Sequence, residues 1–402
     1  MKSIKLQVFL ILLSLTIPYI IRGQKLPGSK VFFIQPEFLF GKNIANYDEF
    51  PKSTFRSSVM ISMGAIHTDP NKHWVSYYNY PNTGVSVSFS HLGNPQILSN
   101  EVSITPFFVL KTSRNPKKSW NFKMGLGASY FDKPYNEIEN PYNYVIGSKY
   151  NWGFQLFCYK NLLITESFIV KLGLGYKHNS NAHTQLPNYG LNSAMMSLAL
   201  QFPTRSYDPY FAMDQQKKPI NREKHYFMYV RSGIGWHELG GTVEPIGGPT
   251  WAIFSQSISG GIIFKQQLKL RMGITYRFYE SFYDYVRNNP FRKHVEHPRR
   301  ESSNVNLFIG FELLMGHLGI DIEGGFNLHK PFYEEYNRRW EFKKGFEYWR
   351  SRYLTTRLGL KYYLINNDIM PRHNVSIGAH INANFGEADF MDLSIGYTFL
   401  IK

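Results

Sequence analysis

Apolar and polar positions alternate along most of the chain. Leu268, Leu270, Met272, Ile274, Tyr276 and Phe278 are interleaved with Lys269, Arg271, Gly273, Thr275 and Arg277. Near the end, Leu393, Ile395, Tyr397, Phe399 and Ile401 are interleaved with Asp392, Ser394, Gly396 and Thr398. Successive side chains of a strand point to opposite faces, so a period of two gives one apolar and one polar face. Segments of about ten such residues have the length of a membrane-spanning β-strand. Sixteen of them are predicted, starting near Val31, Phe55, Gly84, Glu101, Ser119, Ser148, Thr165, Asn192, His225, Thr250, Gln267, Ser302, His317, Ser351, Arg372 and Asp389. A soluble sandwich also alternates. The length of these segments, their aromatic ends and the aromatic-rich final segment favour a membrane barrel.

The connections mostly alternate between long (132–147, 179–191, 280–301, 331–350) and short (161–164, 265–266, 315–316). With the N-terminus inside, long loops would fall on the outer side and short turns on the inner. Two connections, 68–83 and 203–224, break this rule. The expected fold is all-β: a transmembrane antiparallel up-and-down barrel of about 16 strands. The alternative is an eight-stranded barrel over residues 24–202, a connection at 203–224 and a second β-domain over 225–402.

The first 23 residues read as a secretory signal peptide, with Lys2 and Lys5, an apolar run over 6–21 and the small Gly23. A retained anchor is the other reading, with the apolar run near the short limit for a span. The formal net charge of +16 implies an anionic partner. The basic residues are dispersed between apolar runs without a nucleic-acid motif, which points to a phosphate-bearing membrane surface and away from nucleic acid. Lys171, Lys177 and loops such as "RNNPFRKHVEHPRR" are candidates to meet its phosphates. Cys158 is the only cysteine, so neither a disulfide within the chain nor a cysteine-rich metal site is available.

The candidate chemistry lies in "GLGYKHNSNAHTQLPNYGLN", residues 173–192. His178 and Ser180 continue the apolar face of Leu172, Leu174 and Tyr176, two residues apart and within reach of each other. A hairpin brings Asn192 back beside His178. A serine needs a base to become a nucleophile, and the base needs an orienting partner. Asn181 is placed to donate to an oxyanion. Because this face meets lipid, a membrane ester is the implied substrate; simple polarity at the barrel rim is the alternative. In the second half, Pro331 stands where a serine would follow His329. His380 shares a predicted lumen face with Asn382 and Asn384, without a convincing metal-ligand set. His225, His237, His294 and His297 are expected at loops or strand ends, in contact with headgroups or solvent.

The segment "HNSNAHTQLPNYGLN" resembles the signature of the lipid A 3-O-deacylase (acyloxyacyl hydrolase) family of outer-membrane barrels. His178, Ser180 and Asn181 match its His-x-Ser-Asn; Gln185, Pro187, Asn188 and Gly190 resemble its second element, with Leu186 inserted. The resemblance covers about residues 31–202. It implies His178 as general base, Ser180 as nucleophile, Asn181 as an oxyanion contributor and the position of Asn192 as that of the orienting acid, where this chain carries an amide. It further implies an outer-membrane serine esterase that removes an ester-linked acyl chain from lipid A of lipopolysaccharide, a carboxylic ester hydrolase needing no cofactor and no metal. Its partners would be lipid A and outer-membrane lipid. The alternative is a non-enzymatic barrel, a porin or surface-binding protein with a vestigial site.

Overall fold

A computed structural model describes residues 30–205, 207–216, 223–289 and 296–401. The expected signal peptide and His294 lie outside the described residues. Sixteen strands form: β1 Lys30–Ile44, β2 Arg56–His67, β3 Asn82–His91, β4 Asn100–Lys111, β5 Trp120–Phe131, β6 Tyr150–Ile164, β7 Ile169–Ser180 and β8 Leu191–Pro203. They continue with β9 Lys224–Glu238, β10 Thr250–Phe264, β11 Leu268–Tyr279, β12 Ser303–Met315, β13 Leu318–His329, β14 Leu354–Tyr363, β15 His373–Asn384 and β16 Glu387–Ile401. Every start lies within four residues of the one expected from alternation.

These strands close as two antiparallel barrels of eight, with β1 pairing β8 and β9 pairing β16. A single sixteen-stranded ring is thereby replaced by the divided arrangement. The reason lies in the polar faces. An eight-stranded barrel is just wide enough for its inward side chains to fill it, and the inward charges here are paired across that width. In the first barrel Glu37 accepts from Lys123 at 2.9 Å and from Tyr159 at 2.7 Å, and Arg56 pairs with Glu101. In the second, Arg271 reaches Asp321 at 2.6 Å, Glu323 at 2.8 Å and Glu312 at 3.2 Å, while Arg357 reaches Asp392 at 3.2 Å. His380 does face this lumen, with Nε2 3.2 Å from Asp321.

The outward faces are apolar. Leu174 is 63% exposed and Met272 69%, an arrangement that suits lipid rather than water. No helix among the described residues is long and apolar enough to cross a membrane; closed sheets satisfy their backbone internally and can cross instead.

The barrels stand side by side: Phe108, Leu126 and Phe154 of β4–β6 line a common space with Met315, Ile320 and Leu358 of β12–β14, and the Trp152 indole of β6 meets Met391 of β16. At the end opposite the long loops, Trp74, Val75, Tyr78 and Tyr80 pack with Phe108, Ala212, Met315 and Ile320 in one buried cluster. Residues 68–81 and the 203–224 connection therefore break the short-turn rule for a reason. They supply the apolar side chains that join the barrels. Tyr78 also donates to the Gln267 carbonyl at 3.3 Å.

Candidate active site

β7 and β8 pair in a register that sets His178 opposite Asn192. Along the outward face of β7, Leu172, Leu174 and Tyr176 are exposed, His178 is half-buried and Ser180 is buried. His178 Nδ1 lies 2.7 Å from Asn192 Oδ1, and Tyr176 donates its hydroxyl to the same oxygen at 2.5 Å. An oxygen partner requires a proton on Nδ1, which leaves the lone pair on Nε2.

Ser180 Oγ accepts two hydrogen bonds, from Ala182 N at 3.0 Å and Asn188 Nδ2 at 2.9 Å. Among the described residues no hydrogen bond joins Ser180 to His178. Catalytic hydrogen bonds are often incomplete before substrate binds. Asn181, expected to donate to an oxyanion, gives Nδ2 to the Gln185 carbonyl at 2.6 Å and its backbone N–H to Asn188 Oδ1 at 3.3 Å. Its bonds brace the 181–190 loop and fix the Asn188 amide, whose other end faces Ser180.

The loop backbone is unusual where it serves Ser180. Ala182 and His183 both have positive φ, +54° and +65°, a conformation that costs a non-glycine residue about 1–2 kcal/mol. It turns Ala182 N–H toward Ser180. Gly190, at φ +74°, lies directly against the imidazole, since a Cβ there would sit 3.0 Å from His178 Cε1. Both the backbone conformation and the close approach call for glycine.

The second barrel holds this loop in place. Asn188 N donates to Thr242 O at 2.9 Å, and His183 Nε2 lies 3.0 Å from Gly240 O. Glu238 Oε2 accepts from Leu186 N at 2.6 Å while its Oε1 accepts from Gly248 N at 2.5 Å. Glu238 N in turn donates to His183 O at 2.9 Å. His183 is pushed below its ordinary range by burial, against the opposing pull of Asp389.

A groove of about 930 Å³ opens between the barrels. His178, Ser180, Asn188 and Asn192 line one side, and Trp340, Leu358 and Ile381 line the other. The sequence placed His178 and Ser180 on an open, lipid-facing rim; the second barrel covers that rim and makes it a cleft. The charged part of the groove is mainly acidic, with Glu244, Glu341, Glu347 and Glu387 beside Lys343. Lys343 bonds Glu387 at 2.5 Å and pairs with Glu341. Burial works against its charge, but the two carboxylates outweigh it and raise the ammonium above its ordinary range.

Two expectations about charge and histidine are corrected. Lys171 and Lys177 cannot meet lipid phosphates, because both point into the first lumen: Lys171 donates to Gln35 at 2.9 Å and to Gln201, and Lys177 lies 3.5 Å from Glu101. Alternation already put them on the face opposite His178. His237 is buried, with Nε2 2.5 Å from Ser281 Oγ, rather than exposed to headgroups. The contributions of Asn188 and Tyr176 went unassigned although both lie in or beside the motif. The opposing wall had no local signal, because it is created by the packing of one barrel on another.

The sequence profile of lipid A 3-O-deacylase (PagL) matches residues 63–201. That of the acyloxyacyl hydrolase C-terminal domain matches residues 225–401. Among solved structures, the outer membrane enzyme PagL aligns at 16% identity and a TM-score of 0.31, over 42% of this chain and 99% of its own. The outer membrane protein opdK from Pseudomonas aeruginosa aligns at 9% identity and a TM-score of 0.21, over 94% and 99%. No curated protein is significantly similar in sequence. The two profiles together take in most of both barrels, and the chain belongs to the lipid A 3-O-deacylase (acyloxyacyl hydrolase) family of outer-membrane β-barrels.

Proposed function

We propose that this protein is a serine esterase that removes an ester-linked acyl chain from lipid A in the outer membrane. The observation that carries the reading is the 2.7 Å contact between His178 Nδ1 and Asn192 Oδ1, beside Ser180 in a groove on the outward face of the barrel. In the proposed mechanism Ser180 rotates from its resting partners toward His178. Nε2 takes the hydroxyl proton as Oγ attacks the ester carbonyl. Ala182 N–H and Asn188 Nδ2, released by that rotation, are then free to stabilise the tetrahedral oxyanion. Asn181 supports the hole by holding Asn188. The imidazolium returns its proton to the leaving sugar alkoxide, and the same base activates the water that frees the fatty acid. Asn192 fixes the tautomer; unlike a carboxylate, it does not offset the charge formed on His178.

The porin alternative finds little support in the buried, ion-paired lumens. The test of the esterase reading is the mass of lipid A from an outer membrane carrying the protein. Loss of one acyl chain, abolished by Ser180→Ala at equal levels of folded protein, is the expected result. Unchanged lipid A with folded protein present would overturn it.

A further inference from the structure

Leu126 and Phe154 of the first barrel and Leu358 of the second line the groove that contains His178 and Ser180. The same three residues line a second, smaller space of about 80 Å³. Its other walls include Met124 on β5 and Leu360 on β14. β5 runs toward the site end and β14 away from it, so Met124 and Leu360 both lie deeper in the seam than Leu126 and Leu358. The catalytic groove thus continues along the barrel wall into an apolar slot, and each barrel contributes one side of it.

We infer that this seam is the acyl-binding part of the site. The acyl chain whose ester meets Ser180 lies between Leu126 and Phe154 on one side and Leu358 and Ile381 on the other, with its tail directed toward Met124 and Leu360. The inference rests on the esterase reading for the identity of the ester, and it gives the second barrel a direct role in substrate recognition. A lipid tail that enters the seam leaves one apolar environment for another, so the hydrophobic effect contributes little. What the seam adds is a fixed shape. Dispersion contacts reward a chain that fills the slot and sterics reject one that does not fit. The seam therefore selects acyl chains by length and shape more than it strengthens binding in general.

Two measurements on the full-length protein test this. In the first, Leu358→Trp and Ile381→Trp are assayed on short-chain (butyryl) and long-chain (palmitoyl) p-nitrophenyl esters, with heat-modifiable gel migration as the check on folding. Narrowing the seam should lower kcat/KM on the long-chain ester by about tenfold or more relative to the short-chain ester, the scale at which a pocket discriminates apolar groups. Equal effects on both esters, or none on either, in folded protein would overturn the inference. In the second, Ser180→Ala protein is photolysed in vesicles containing lipid A with a diazirine on its acyl chain. Label on peptides of both β5–β6 and β14–β15 supports the seam; label confined to the first barrel refutes it. This readout needs no turnover, so failure of the esterase reading and failure of the seam are recorded separately.

Discussion

His178 and Asn192 face each other across β7 and β8 with 2.7 Å between Nδ1 and Oδ1. An amide has an accepting end and a donating end, and only its oxygen leaves Nε2 as the base. A carboxylate offers oxygen in either orientation and also stabilises the imidazolium formed during attack. Asn192→Asp, which preserves size, should therefore raise kcat for acyl release by about tenfold or more. Asn192→Ala should lower it. Steady-state release of fatty acid from lipid A reads both; if Ala at 192 leaves the rate intact, Asn192 does not orient His178.

Gly190 controls the other side of the same ring. A Cβ at 190 would meet His178 Cε1 at 3.0 Å, on a backbone with φ +74°. Gly190→Ala is expected to displace the imidazole and lower kcat by about 100-fold, the effect of a misplacement near 1 Å. Both barrels should still form, because Gly190 lies in a loop beyond β7. Retained heat-modifiable migration with lost activity is the expected pair of results; full activity would show that the ring accommodates the methyl group.

The strands and their faces were legible in the sequence because alternation is a local signal, visible at Leu268–Phe278 and again at Leu393–Ile401. His178, Ser180 and Asn192 were legible for the same reason, since face parity and one hairpin bring them together. Closure was not. Whether β8 turns back to β1 or continues to β9 depends on pairing across the whole sheet, and Arg271 gives no hint in sequence that Asp321 and Glu323 lie opposite it. The seam was hidden for a related reason. Leu126, Phe154, Leu358 and Ile381 share the outward parity of their strands with residues that meet lipid, and nothing nearby in the chain records that they face one another.

Glu238 links the two barrels at the site. Its carboxylate accepts from Leu186 N in the first and from Gly248 N in the second. Hydrogen bonds to a charged group contribute about 1.5–3 kcal/mol each. Glu238→Ala should loosen the 181–190 loop and withdraw the Asn188 amide from Ser180. The expected outcome is a fall in kcat of at least about tenfold, with faster hydrogen exchange in residues 181–190 and unchanged exchange in β1–β4. Unchanged exchange in the loop would mean that Glu238 does not hold it.

Arg271 tests the closure of the second barrel. It is fully buried and pairs with Asp321, Glu323 and Glu312. Arg271→Met leaves these carboxylates short of positive charge in a narrow lumen. Removing one partner of a buried charge cluster costs about 3–5 kcal/mol. Urea unfolding in lipid vesicles should show a loss of that order. In a wide, water-filled sixteen-stranded ring Arg271 would be solvated and its replacement nearly neutral, so a shift within about 0.5 kcal/mol would contradict the divided arrangement.

His183 gives the loop a pH dependence. Its ring is buried and lies 3.0 Å from the Gly240 carbonyl, and burial holds it below its ordinary range. The closed loop therefore disfavours protonation of the ring. When the loop opens, the imidazole recovers its ordinary pKa of about 6.5 and takes up a proton as the pH falls through that value. The open form then binds more protons than the closed one, so closure is favoured fully above about pH 6.5 and progressively lost below it. Hydrogen exchange of residues 181–190, corrected for the intrinsic effect of pH, should accelerate from about pH 6.5 downward. His183→Gln keeps a donor for Gly240 without a titrating ring, and its loop exchange should stay flat over the same range. If both proteins show the same acceleration, protonation of His183 is not what opens the loop.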